Sequence, residues 1–294
     1  MKLSVRTILL ALTVVLFSFT GCAKKPCIQC SMSSEQLKEV ESSWQNLNYK
    51  IIELYQQGHL KEAIQTAKKS LQFANEKFGN DSLKSATSLN NLGELYRLDK
   101  RYSDAEWHYK KALQIREKLL GKEHPDTALT LNNLASVYFS ENRYPDAQAT
   151  YEAALKIMEK NPTKDNRSLI ALVGNLAELY KNEGKFPDAE ISYKKLLSIR
   201  EKTTGKNDLN YAKTLNDLGA LHFLEKKYKE AGVVFENTLG ILEAKLGKTN
   251  PDILVVLENI AEVYKKTGSN DKAKAFELRI NSLKAKSNPL PTHS

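Results

Sequence analysis

The sequence is poor in cysteine, glycine and proline, and each scarcity narrows the kinds of protein it can be. Of its 294 residues, three are Cys, 13 are Gly and 8 are Pro. All three cysteines fall before residue 31, so disulfides cannot hold the rest of the chain together. Few Gly and Pro argue against long disordered stretches. A hydrophobic content of 41% is enough for a packed core.

Motifs of the common enzyme classes are also missing. The five histidines are scattered, none is paired at i and i+4, and no nucleophile elbow is present. The Gly-Lys-Thr string from Gly247 resembles the end of a phosphate-binding loop, but that loop needs Gly where Leu242 stands. The sequence therefore predicts no catalytic residue, no cofactor, no metal and no small-molecule substrate.

The net charge of +9 comes from 44 basic and 35 acidic residues that are interspersed along the chain. No block of basic residues stands out, so nucleic acid is not the predicted partner.

One apolar run stands out, the twelve residues from Ile8 to Phe19. It suits a signal-peptide core and is short for a membrane span. The run ends in Phe19-Thr20-Gly21-Cys22, which resembles the cleavage box of bacterial lipoproteins, with Phe19 where Leu is usual. The resemblance implies a signal peptide over residues 1–21 and a lipidated Cys22. Ala23 implies the outer membrane of a bacterial envelope, facing the periplasm. The alternative is a soluble secreted protein that is cut near the same place.

Residues 22–33 read as a tether that carries a Cys-x-x-Cys pair, Cys27 and Cys30. In an oxidising compartment such a pair by default forms a local disulfide. A redox motif would sit at a helix start after a strand, and a zinc site would need two more ligands nearby. A redox or metal-handling role for the pair stays open as the alternative function.

The rest of the chain repeats. The phrase LNNLGELY at Leu89 returns as LNNLASVY at Leu131, 42 residues later, and again in three further copies. Each copy has one apolar stripe with helical spacing, and a second helical stripe follows it. Each unit is therefore predicted to be a helical hairpin. Six units are predicted, followed by a flexible tail over 287–294: about 34–79, 82–121, 124–163, 166–205, 208–247 and 250–286.

Capping residues share the period. A residue of N-cap type precedes the first helix at one register: Asp126, Ser168, Asn210 and Asp252. A glycine suited to a left-handed cap follows the second helix at another: Gly79, Gly121, Gly205 and Gly247. Tyr55 precedes Tyr96 by 41 residues, which predicts that the first unit has lost one residue in its internal turn.

The pattern L-x-x-L-[GA]-x-x-Y, followed by Ala, an aromatic and Ala, resembles the tetratricopeptide repeat. The 42-residue period and the His-Pro-Asp of His124 to Asp126 resemble the longer subclass found in kinesin light chains. The resemblance implies an all-α fold, a right-handed superhelical solenoid of stacked αα-hairpins. Its concave surface, lined by the first helix of each unit, would bind an extended peptide or a partner protein.

Helical geometry then predicts which residues face that groove. At about 100° per residue, Asn91, Glu94 and Leu98 fall opposite the buried stripe of Leu89 and Tyr96. The recurring asparagine can either bind a peptide backbone or bond the neighbouring helix and set the superhelical pitch. The other positions would set selectivity. The predicted groove residues are Asn91, Glu94, Leu98, Asn133, Ser136, Asn175, Glu178, Asn182, Asp217, Asn259 and Glu262.

Together these patterns predict a lipid-anchored scaffold that binds a peptide or protein in its groove, in the assembly of an envelope complex. A solenoid that acts through its convex face is a further alternative, in which the groove asparagines could be replaced without loss.

Overall fold

The computed structural model describes residues 33–162 and 166–287. The predicted signal peptide, residues 22–32 of the predicted tether with its three cysteines, and residues 288–294 of the predicted tail lie outside the described residues, whereas Ser287, the first residue of the predicted tail, ends α12. Within them, all regular structure is helical and no strand occurs. The predicted all-α class is confirmed.

Twelve α-helices follow one another as six antiparallel pairs in the described part of the chain, and a short 3-10 turn, Pro251–Ile253, precedes the eleventh. The helices are α1 Ser34–Gln56, α2 Leu60–Phe78, α3 Leu83–Leu98, α4 Tyr102–Leu120, α5 Pro125–Ser140, α6 Tyr144–Lys160, α7 Arg167–Asn182, α8 Phe186–Thr204, α9 Leu209–Leu224, α10 Tyr228–Leu246, α11 Leu254–Lys266 and α12 Asn270–Ser287.

The N-caps lie two residues earlier than predicted. Their side chains accept a backbone N–H of the first turn, and they share the register Ser82, His124, Asp208 and Asn250. Asp126, Asn210 and Asp252 instead donate their backbone N–H to these caps. An N-cap must have an extended backbone, and the 82-register residues have it. An acid or amide in the first turn is also favoured there, by the helix dipole or by local hydrogen bonding, so the two positions look alike in sequence.

The four predicted glycines do end the second helices. Gly79, Gly121, Gly205 and Gly247 have φ of 92°, 94°, 85° and 88°. Their ψ angles are extended, between 151° and 166°. The glycines are therefore not in the left-handed helical conformation, and that part of the prediction is wrong. The region of positive φ and extended ψ is open almost only to glycine, which explains why the residue type recurs.

The turn inside each hairpin has its own period, which the sequence analysis missed. Residues with positive φ fall at Gly58, Lys100, Asn142, Gly184, Lys226 and Gly268, always 42 apart. The backbone bond from His59 to Leu54 matches that from Arg101 to Tyr96. The first unit has therefore not lost a residue, and the prediction of a shortened turn is wrong. Leu54 takes the place of Tyr96, and Tyr55 takes that of Arg97.

Replacing Lys226 with Gly should raise the free energy of unfolding by about 0.5–1 kcal/mol. Lys226 has a φ of 62°, where a residue with a Cβ is strained by about 1–2 kcal/mol, and the greater chain entropy of Gly offsets part of the gain. Urea denaturation measures the change. Lys69→Gly, in the exposed middle of α2, is the control and should lose about 1 kcal/mol. A loss of stability in Lys226→Gly would contradict the strain argument.

The chain divides into two compact units, the first ending at Leu172 and the second beginning at Val173. In the first unit, α2, α3 and α4 share a core that contains Leu71, Leu89 and Ile115. In the second unit, one core joins α7, α8 and α9 around Tyr193, and another joins α10, α11 and α12 around Phe235. Within each unit, hairpins thus pack on the next hairpin along the chain.

Small residues in the first helices admit aromatic rings from the second. A Cβ built on Gly93 would lie 3.0 Å from the ring of Tyr109, and one on Gly219 would lie 2.7 Å from that of Phe235. These two glycines, at the small position of the repeated phrase, let the two helices of a hairpin approach closely.

Candidate partner-binding surface

The repeated asparagines bond to one another between successive hairpins. In each pair, the side-chain amide of one first helix donates to the amide oxygen of the preceding first helix. The pairs, with their N-to-O distances, are Asn91 to Asn48 (2.9 Å), Asn133 to Asn90 (3.1 Å) and Asn259 to Asn216 (3.0 Å). This asparagine ladder, as we call these pairs, is the second of the two roles that the sequence left open. At these three places it joins a first helix to the preceding first helix.

Asn91, expected on the groove face, is instead buried at 5% exposure. Its partner Asn48 is also buried and donates to the carbonyl oxygen of Trp44 at 2.7 Å. Trp44 donates to Ser88, and Ser88 is bonded to Ser70. The amide of Asn91 is thus committed to a buried polar network that ties α1, α2 and α3 together.

Glu94 is held by its own hairpin. It accepts two hydrogen bonds from Arg97, at 2.6 and 2.9 Å, and one from the Tyr109 hydroxyl at 2.9 Å. Burial and the charge of Glu94 raise the pKa of Tyr109 well above its usual value. Burial acts to lower the pKa of Arg97. Its hydrogen bonds to Glu94 and the negative charge of Glu94 have the larger effect, so the pKa of Arg97 is raised. The guanidinium of Arg97 therefore stays charged across the physiological pH range.

In later hairpins, the residue at the position of Glu94 varies together with the residue fifteen positions further along the chain, in the second helix of the same hairpin. Ser136 bonds the hydroxyl of Tyr151 at 2.9 Å, and Glu178 accepts from the hydroxyl of Tyr193. In the fifth hairpin Ala220 stands there, and Phe235 has no hydroxyl to satisfy. These predicted selectivity residues therefore also fasten the two helices of a hairpin. The paired change from polar and Tyr to Ala and Phe was a signal visible in the sequence.

Asp217 occupies the ladder register but makes no amide pair. The residue 43 places earlier, where Asn48, Asn90 and Asn216 stand in other pairs, is Gly174. The Asp217 side chain is half-buried. Burial first, and then the neighbouring Glu178, raise its pKa to about 6, although Lys181, Lys213 and Arg200 act in the opposite direction.

The remaining predicted groove residues vary in exposure. Leu98 and Asn175 are half-buried, while Asn182 is exposed and donates to the carbonyl of Glu178 at 2.7 Å. Glu262 forms an ion pair with Lys266 at 3.6 Å.

Two apolar residues at groove registers of the second unit are open to solvent. Leu224, at the register of Leu98, is 55% exposed. Val255 lies at the register of Thr87, which at about 100° per residue also falls opposite Leu89, and it is 59% exposed. Asn259 and Glu262 follow Val255 on α11 at helical spacing, and Asp217 precedes Leu224 by two turns on α9. This group, Asp217, Leu224, Val255, Asn259 and Glu262, is the candidate surface.

Sequence reasoning missed a cluster of charged and polar side chains that connects one hairpin to the next, which we call the charged clasp. In the first unit, Glu106 on α4 accepts from Tyr138 at 3.2 Å and from Arg143 at 3.0 Å. In the second unit, Glu190 takes the place of Glu106 and His222 takes the place of Tyr138. The Nε2 atom of His222 lies 3.6 Å from a carboxylate oxygen of Glu190.

The acids of this second clasp already have cationic partners. Glu190, His222 and Glu225 bring potential metal-ligand atoms within 4.8 Å of one another. Lys194 pairs with Glu190 at 2.7 Å and Lys227 pairs with Glu225 at 2.9 Å. Because two ammonium groups balance the two carboxylates, we read the cluster as a clasp between hairpins.

A family model described as tetratricopeptide repeat matches residues 45–118, 98–160 and 167–232. The chain belongs to the tetratricopeptide repeat family. The fold and the family together support a general role for this repeat protein as a protein-interaction scaffold. It matches no curated protein.

Three solved structures show the same fold. BtubC (BKLC) from P. vanneervenii is 27% identical, with a TM-score of 0.69 over 80% of this chain and 96% of its own. PilW, described as a widely conserved type IV pilus biogenesis factor, is 17% identical, with a TM-score of 0.60 over 82% and 93%. The quorum sensor NprR from B. thuringiensis is 17% identical, with a TM-score of 0.60 over 87% and 71%.

Among the described helices of this repeat protein, none is both long and apolar enough to cross a membrane.

Proposed function

We propose that this repeat protein is a lipid-anchored scaffold of the bacterial envelope that binds an extended peptide or a partner protein on the candidate surface. The observation that carries the proposal is the exposure of Leu224 and Val255 on successive first helices. Exposed apolar side chains beside polar groups are typical of protein-binding surfaces. The concave surface that the family resemblance predicts, lined by the first helices, supports this choice of surface.

Support for the anchor comes from the sequence around Cys22. Several acyl chains on one residue hold a protein on a membrane stably, whereas one does so only marginally. Residues 22–33 would span at most about 40 Å when extended. A scaffold on such a tether raises the concentration of its partner at the membrane. We therefore extend the proposal to the assembly of an envelope complex, on the periplasmic side of the outer membrane.

The binding surface is tested by crosslinked capture from membranes. Leu224→Ser with Val255→Ser should reduce the captured partner about tenfold, because these side chains lose their apolar contacts. The matched control is Ile191→Ser with Val233→Ser, since these residues are 65% and 59% exposed on the second helices α8 and α10. All four positions face solvent, so the fold should persist, which circular dichroism checks.

The same experiment separates the alternatives. Loss of capture in the Ile191 and Val233 variant alone would support the convex face and overturn the groove. Replacing both Cys27 and Cys30 with Ser should leave capture unchanged, and a loss there would favour the redox or metal-handling alternative. Cys22→Ala should move the protein from the membrane fraction to the soluble fraction, and retention in the membrane would contradict the lipid anchor.

A further inference from the structure

The asparagine ladder is broken at one place in the second unit, and both of its members change there. Gly174 stands where the acceptor asparagine would be, and Asp217 stands where the donor would be. Glycine supplies no acceptor, and an ionised carboxylate supplies no donor. The bond that joins the other pairs cannot form at this position, because neither partner can take part in it.

Nothing in the backbone or the packing requires glycine at position 174. Its φ is not positive, and a Cβ built on it would meet only Leu196, at the ordinary contact distance of 3.7 Å. At Gly93 and Gly219, by contrast, an aromatic ring fills that space. Glycine in a helix interior lowers stability. At position 174 α7 is therefore less stable than it would be with alanine, and the space that a side chain would fill is open.

Among the described residues, none donates a hydrogen bond to the Asp217 carboxylate, and only charges at longer range act on it. Glu178, its acidic neighbour, is already engaged by Lys181, whose ammonium lies 2.7 Å from both carboxylate oxygens. Lys213 and Arg200 act on Asp217 through charge alone, and they do not outweigh burial and Glu178. At neutral pH the carboxylate is therefore ionised, half-buried and incompletely neutralised.

We propose that the gap at Gly174 and Asp217 is a recognition subsite for a lysine or arginine side chain of the bound partner. The inference rests on the proposed binding function of this surface. An ammonium or guanidinium group supplies the donor that the ladder lacks, and a charge-assisted bond to a carboxylate is about twice as strong as a neutral one. Leu224, two turns further along α9, offers an apolar contact, so the partner would carry a basic residue next to apolar ones.

An array of immobilised decapeptides tests the subsite. Each peptide carries one Lys or Arg among apolar and neutral residues, and its matched copy carries Gln at that position. The full lipidated chain in detergent is the binding protein. We expect the tightest peptides to contain the basic residue and to weaken about tenfold when it becomes Gln.

The decisive variant restores the ladder by combining Gly174→Asn with Asp217→Asn. It should unfold at a higher temperature than the wild type, because an amide pair replaces the gap. Its affinities for a Lys peptide and for the matched Gln copy should differ by less than about twofold. Asp252→Asn removes one negative charge from an exposed turn and should keep the full preference.

The outcomes separate this inference from the proposed function. Binding by the wild type without a preference for Lys or Arg overturns the subsite and leaves the binding surface standing. An unchanged preference in the restored-ladder variant, or its loss in Asp252→Asn, also overturns it. Failure of the wild type to bind any peptide counts against both proposals.

Discussion

Gly219→Ala is expected to lower the free energy of unfolding by about 1–3 kcal/mol, the usual cost of overpacking a core. The new Cβ would lie 2.7, 2.8 and 3.1 Å from three ring atoms of Phe235. Phe235 is 1% exposed and belongs to the core of α10, α11 and α12. The ring has no solvent to move into, so the helices of the fifth hairpin must separate.

The control for this prediction is the same substitution at Gly174. There the new Cβ meets only Leu196, at 3.7 Å, and the gain in helix propensity should raise stability by about 0.5–1 kcal/mol. Urea denaturation of both variants should show shifts of opposite sign. Adding Phe235→Leu to Gly219→Ala should give a variant more stable than the sum of the two single effects. Equal shifts at the two glycines would refute the close approach at Gly219.

Asn48→Ala should lower the free energy of unfolding by about 2–4 kcal/mol, the sum of a lost bond and a stranded amide. Asn48 is buried and accepts from Asn91 at 2.9 Å and from Ser70 at 3.5 Å. With the acceptor gone, the buried amide of Asn91 loses its partner and cannot reach water. Hydrogen exchange in α3 and urea denaturation both measure the loss.

Asn216→Ala is the matched comparison. Asn216 makes the same ladder bond, to Asn259, but it is half-buried. Water can replace the missing group, so the cost should be about 0.5–1.5 kcal/mol. A double-mutant cycle between Asn48 and Asn91 should show coupling, since each residue loses the same bond. If Asn48→Ala cost no more than Asn216→Ala, the buried network would not stabilise the first hairpins.

The position of the caps shows why some local features were misassigned. Asp126 and Asn210 are good N-cap types, yet His124 and Asp208 hold the extended backbone of the cap. Residue type alone does not separate a cap from a first-turn residue, because polar side chains are favoured at both places. The misjudged turn of the first unit has a similar cause. Tyr55 matched the aromatic of the phrase in type, but Leu54 holds its place in the hydrogen bonds.

The candidate surface was predictable only in outline. The 42-residue register located Asp217, Asn259 and Glu262 on it, because a periodic chain places equivalent residues at equivalent positions. The register did not show that Glu94 and Ser136 fasten tyrosines of their own hairpins. Nor did it show that Gly174 borders an open space whereas Gly219 borders a ring.

The sequence by itself determined the helices, their pairing into hairpins and their number, because helical periodicity and caps depend on residues close together in the chain. Only the tertiary structure decided what each repeated asparagine does. On an isolated helix, Asn91 points away from the apolar stripe and would meet water. In the folded chain the preceding hairpin covers it and supplies Asn48 as its acceptor. That partner lies 43 residues away, and helical geometry within one unit carries no information about it.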